Sequence, residues 1–194
     1  MRLDQEERES PLTSMLEADV WKKLYENREL YLAGPIEDKV ADTLAARLMS
    51  LDRDSDKDIT LYIDSPGGLV SGLFVIYDTI HYLMQAKVNT VCLGIAASAA
   101  AVILATGTGT RTATPNARIM IHQPLGGARG QAADIQIQAQ QIAFLRNRLN
   151  EILAERTGKP VNQIARDTDR DFWLSAPDAV TYGLIDEVLK RRSI

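Results

Sequence analysis

The stretch ITLYIDSPGGLVSGLFVIYDTIHYLMQAKVNTVCL, residues 59–93, decides the fold. Ile59 to Ile63 is a run of β-formers. Asp64-Ser65-Pro66-Gly67-Gly68 then reads as a turn. A helix follows over about Ser71 to Met84, with Phe74, Tyr77 and Ile80 along one side. Val88 to Leu93 is a second strand, which Gly94 is read as ending. A strand, a crossing helix and another strand of this length imply a parallel pair covered by a helix.

The same alternation continues in both directions. Upstream, Leu16 to Tyr25 reads as a short helix and Glu29 to Leu32 as a strand ended by Gly34-Pro35. Asp38 to Leu51 reads as an amphipathic helix, with Val40, Leu44, Leu48 and Leu51 on one face and acidic Glu37 and Asp38 at its N-terminus. Downstream come a buried alanine-rich helix from Ser98 to Ala105, a short strand from Arg118 to Ile121, and a long helix from Gln131 to Thr157 closed by Gly158 and Pro160. Ser175-Ala-Pro-Asp178 has the form of a capping box and opens a last helix ending at Gly183. The expectation is an α/β fold in one domain over residues 15–194, preceded by a charged mobile arm over 1–14.

Composition narrows the function classes. A net charge of −4 over 194 residues gives no electrostatic reason to expect nucleic acid or an anionic membrane as partner. The longest uncharged run, Leu93 to Ala105, is too short to span a bilayer. The single cysteine, Cys92, lies in an apolar run, reads as a small core residue and fits a reducing cytoplasm. No signal peptide is expected in the charged N-terminus.

Three segments carry chemistry. Ser65-Pro66-Gly67-Gly68 follows a strand, and its glycines let the backbone approach a ligand and aim N–H groups at a developing oxyanion. In Gly94-Ile-Ala-Ala-Ser98-Ala-Ala-Ala101 a serine sits where a helix begins, so the Ala99 N–H is a second oxyanion donor. The arrangement has the logic of a strand–turn–helix nucleophile elbow without its Gly-x-Ser-x-Gly pattern. His122 follows an apolar strand and precedes Pro124, Gly126 and Gly127; the other histidine, His81, lies within a helix. Each segment alone has a plainer reading: a βα turn, a helix-capping serine, a structural histidine. Together they supply a hydroxyl and a base, which open α/β sheets gather at their strand ends. An acid is needed to hold the imidazole, and spacing does not choose among Asp64, Asp134, Asp167, Asp169, Asp171 and Asp178.

These segments resemble the proteolytic subunit of the Clp protease from about Leu30 to Leu189. The resemblance is carried by LYIDSPGG (61–68), IYDTI (76–80), GIAASA (94–99), PNARIMIHQPLGG (115–127), GQAADI (130–135), RDTDRD (166–171) and LSAPDAVTYGLID (174–186). It implies a crotonase-like fold of stacked β-β-α units with a long protruding handle helix, Gln131 to Thr157. It implies a serine endopeptidase with Ser98 as nucleophile, His122 as base, Asp171 as acid, and the backbone N–H groups of Gly68 and Ala99 as oxyanion hole. It further implies substrate paired as an added strand along Gln123, Leu125, Gly126 and Gly127. No cofactor and no metal are implied. Partners implied are further copies in stacked seven-subunit rings, joined through contacts such as Arg170, an AAA+ unfoldase, and unfolded polypeptide substrates.

Two regions depart from the family pattern: the first thirty residues, and the surface pocket expected to receive an unfoldase loop. There Thr60, Thr112 and Thr114 stand where bulky apolar residues are usual, beside Tyr62, Leu93 and Leu189. An unpaired buried hydroxyl costs about 1–3 kcal/mol, so the expectation is weak docking by this subunit alone and cooperation with a paralogous ring. Two rival readings are a non-catalytic structural subunit of a mixed ring and a crotonase-type acyl-CoA enzyme.

Overall fold

A computed structural model describes residues 11–127 and 129–191. The elements are α1 (Pro11–Glu26), β1 (Glu29–Ala33), α2 (Asp38–Asp54), β2 (Ile59–Ser65), α3 (Val70–Asp78) with a π-helical turn (Thr79–Leu83), β3 (Val88–Ala97), α4 (Ala99–Ala105), β4 (Arg111–Ala113), β5 (Arg118–Ile121), α5 (Ala132–Thr157), α6 (Val161–Asp167), β6 (Phe172–Ser175), α7 (Ala176–Tyr182) and β7 (Glu187–Val188). The fold is mixed α/β with a largely parallel sheet and one long helix. Of the expected arm, residues 11–14 belong to α1, and 1–10 lie outside the described residues.

The sheet runs β1-β2-β3-β4-β7, all parallel, and branches at β3. The first half of β3 pairs with β4 (Thr90 to Arg111, Cys92 to Ala113), and the second half pairs with β5 (Ile95 to Arg118, Ala97 to Met120). β6 closes the branch antiparallel to β5, with Ile121 opposite Phe172. β3 therefore runs ten residues and does not stop at Gly94 as its glycine suggested. The reason is tertiary. Asp64 turns its carboxylate into a register shift between β2 and β3, accepts the Ile95 N–H at 3.0 Å, and stands where a Gly94 Cβ would be, 2.7 Å from Oδ1. Gly94 makes room for that carboxylate within a continuous strand.

The core lies between the sheet and the helices. α4, with sequence AAAVILA, is buried at all seven positions, as a helix apolar on every side must be. α5 spans 26 residues, about 39 Å at 1.5 Å per residue. Only its C-terminal portion, including Leu149, Ile152 and Leu153, enters the core, whereas residues 131–141 are exposed throughout. Gly158, at φ +69°, ends it, and the capping box of Ser175 and Asp178 is formed at α7. The branch brings the C-terminal ends of β2, β3 and β5 together with the start of β6, and the site lies there.

Candidate active site

Ser98 occupies the single residue between β3 and α4. Its backbone is at φ 55°, ψ −124°, one of two non-glycine residues with positive φ among those described. Such a conformation costs about 1–3 kcal/mol and persists only where the surroundings impose it. Here they do. The Ser98 N–H donates to Met120 O at 2.8 Å, continuing the β3–β5 ladder, while the Ser98 carbonyl accepts from Ala101 and Val102 at the start of α4. Strand and helix pull the same residue from opposite sides, and its side chain is thrust out of the bend.

His122 is the first residue beyond β5. Its Nε2 lies 2.8 Å from Ser98 Oγ and its Nδ1 lies 3.0 Å from Asp171 Oδ1. An ionised carboxylate only accepts, so Nδ1 carries the imidazole proton and Nε2 is left to accept from the serine hydroxyl. The other aspartates are engaged elsewhere. Asp64 fills the strand bulge, Asp167 accepts from Tyr182 Oη at 2.7 Å, Asp178 caps α7, and Asp169 faces Arg146 and Arg170. Asp134 lies at the exposed start of α5. Asp171 is the one that meets the histidine, yet its side chain remains 60% exposed against 13% for His122.

The turn after β2 packs onto the elbow. Gly67 has φ +90°, and a Cβ there would stand 2.5 Å from Ala97 O, 2.8 Å from Ser98 Cβ and 2.9 Å from Ala99 N. Gly68 lies against Ile36, whose backbone oxygen would be 2.3 Å from a Cβ. Both positions require glycine. The Gly68 N–H has no acceptor among the described residues. That of Ala99, at the first position of α4, has no partner within the helix. Beside Ser98 and His122 opens a pocket walled by Val70, Leu73, Val102, Leu149 and Leu153, with Asn150 as a polar group in its lining.

The segment expected to bind a substrate strand is placed less uniformly. Gln123 is already committed internally: its N–H donates to Thr168 O at 2.6 Å and its Nε2 to Asp169 O at 2.9 Å. Leu125 is 88% exposed, Gly126 packs on Ile142 of α5, and Gly127 meets open space. Arg170 is exposed and, among the described residues, reaches only Asp169. Cys92 is no competing nucleophile, because burial, with the Asp64 charge adding to it, pushes its thiol up to about 12.

The threonines correct an expectation. Thr112 is buried but donates to Thr90 O at 3.3 Å, and Thr114 donates to Leu93 O at 3.0 Å. Their hydroxyls are satisfied by carbonyls of the neighbouring strand, so the predicted penalty of an unpaired hydroxyl does not arise at either position. Two supporting residues escaped the sequence reading. Thr168 and Asn150, both buried, bond to one another at 3.1 Å and tie the turn before Asp171 to α5. The only signal was an asparagine beside Leu149 and one turn before Leu153, both apolar.

Among the described residues no group of three or more His, Cys, Asp or Glu side chains is placed to hold a metal, and no helix is long and apolar enough to cross a membrane. A model of the Clp protease family matches residues 13–192, spanning the elbow, the histidine strand, the long helix and the aspartate turn. The match covers nearly the whole chain, and the chain belongs to the Clp protease family.

Proposed function

We propose that this chain is a serine endopeptidase in which Ser98 attacks, His122 is general base and then general acid, and Asp171 holds the imidazole. The observation that carries this is the continuous hydrogen-bonded line from Ser98 Oγ through both ring nitrogens to Asp171, at 2.8 and 3.0 Å. Ser98 Oγ adds to a peptide carbonyl as its proton passes to His122 Nε2. The tetrahedral oxyanion is held by the Gly68 and Ala99 N–H groups. The protonated His122 then gives its proton to the leaving amine, and a water activated by the same histidine releases the acyl group from Ser98.

Exposed backbone at Leu125, Gly126 and Gly127 offers an edge for an extended substrate, which favours unfolded polypeptides of varied sequence. Rings of this chain, with the exposed half of α5 and Arg170 at the ring–ring contact and an AAA+ unfoldase as feeder, complete the reading. With Thr112 and Thr114 paired, the case for cooperation with a paralogous ring rests on Thr60 and the N-terminal arm. The preformed Ser98–His122 bond weighs against a purely structural subunit. The pairing of serine with histidine, where an acyl-CoA enzyme of related fold would need a glutamate base, weighs against that rival.

The test is turnover of short fluorogenic peptides by the assembled chain. The wild type is expected to cleave them, with Ser98→Ala lower by about 10⁴-fold or more in kcat. Equal turnover by wild type and Ser98→Ala would contradict the assignment.

A further inference from the structure

Ser65, the last residue of β2, is completely buried, and its hydroxyl is used twice. It donates to Gly34 O at 2.6 Å and accepts from the Gly67 N–H at 3.1 Å. One proton and two lone pairs allow both bonds at once. Pro66, the next residue, has no N–H. Ile36 completes the accounting: its N–H donates to Gly67 O at 2.9 Å, and its carbonyl accepts from the Leu69 N–H at 2.8 Å. Along 66–69 every backbone N–H is therefore engaged except that of Gly68.

We infer that Ser65 is a positioning residue for the oxyanion site. By holding the Gly67 N–H it fixes which of two adjacent glycine N–H groups is presented beside Ala99. The inference rests on the peptidase reading above and adds a residue to it. Gly67 contacts the elbow itself, so loss of the hydroxyl leaves the buried Gly67 N–H, and with it the part-buried Gly34 O, without its partner. The turn can relieve that only by moving, and movement misaims the Gly68 N–H. A donor of this kind acts on the tetrahedral oxyanion far more than on bound peptide, so the effect concentrates in the transition state.

The experiment compares wild type, Ser65→Ala and Ser65→Cys as assembled full-length chains. For each it measures peptide turnover, inhibition by a peptide boronate whose adduct mimics the tetrahedral oxyanion, and affinity for the cleaved product peptide. Ser65→Ala is expected to lower kcat by about 10- to 100-fold, somewhat less than outright removal of an oxyanion donor. Boronate affinity should fall in parallel while product affinity stays within about twofold. Ser65→Cys preserves volume with a weak hydrogen-bonding group, and should behave likewise if the alanine variant does not fold. Unchanged kcat and boronate affinity in a folded variant would overturn the inference, as would an equal loss of product affinity. Absence of both turnover and boronate binding in the wild type would instead overturn the peptidase reading, and this inference with it.

Discussion

The two ends of the Ser98–His122–Asp171 line are built differently. Ser98 is fixed by the core: a ladder bond to Met120, the first turn of a wholly buried helix, and Gly67 packed at its back. Asp171 lies in a surface turn and remains 60% exposed, held by the bonds of Gln123 to Thr168 and Asp169 and by the buried Thr168–Asn150 contact. The geometry of Ser98 is thus a property of this chain's own packing. The acid's geometry depends on a few hydrogen bonds at a surface that Arg146, Asp169 and Arg170 share.

The contrast is sharpened by substitutions of decreasing effect. Asp171→Asn keeps the shape but puts an uncharged amide, which donates as well as accepts, where an accept-only carboxylate selects the imidazole tautomer, and should lower kcat by about 10³- to 10⁴-fold with KM little changed. A loss under tenfold would mean the exposed acid contributes little. Gly67→Ala tests the other end. Its methyl would stand 2.5 Å from a backbone oxygen at a positive φ, so the elbow must shift. Activity should fall about 10²-fold and the melting temperature with it. An unaffected Gly67→Ala enzyme would break the claim that core packing sets the nucleophile.

Thr168→Val removes one buried hydroxyl behind the acid turn. The expected loss is about three- to tenfold in kcat, with Thr168→Ser restoring it. The smallest effect concerns His81, whose Nε2 lies 2.9 Å from Thr106 O at the far end of α4. Burial lowers its pKa below the ordinary histidine value, partly opposed by the bond to Thr106. Unfolded chain therefore binds this proton first as pH falls, and stability is lost through the pH range from the ordinary histidine value downward. His81→Gln should flatten that part of the melting-temperature profile. An unchanged slope would remove His81 from the account.

Local features were legible in the sequence. Ile59 to Ile63, the long helix up to Gly158 and the capping box at Ser175 each declare themselves within a few residues. What depended on distant partners was not. Gly94 read as a terminator because the Asp64 carboxylate beside it is thirty residues away. The Thr112 and Thr114 hydroxyls read as costs because their acceptors belong to β3. β6 and α6 are short and carry too little periodicity to stand out. Ser98 and His122 could be singled out by their places at a helix start and a strand end. The residues alone left six aspartates open, and only family resemblance pointed to Asp171. In the fold the choice is physical, since four of the others are bonded elsewhere and Asp134 lies at the exposed start of α5.

The most direct measurement is reaction of the assembled chain with a fluorophosphonate, with the adduct located by peptide mass analysis in wild type, His122→Ala and Asp171→Asn. The account predicts one adduct, on Ser98, formed much more slowly without His122 and at an intermediate rate in Asp171→Asn. No adduct, an adduct on another serine, or equal rates in all three proteins would contradict it.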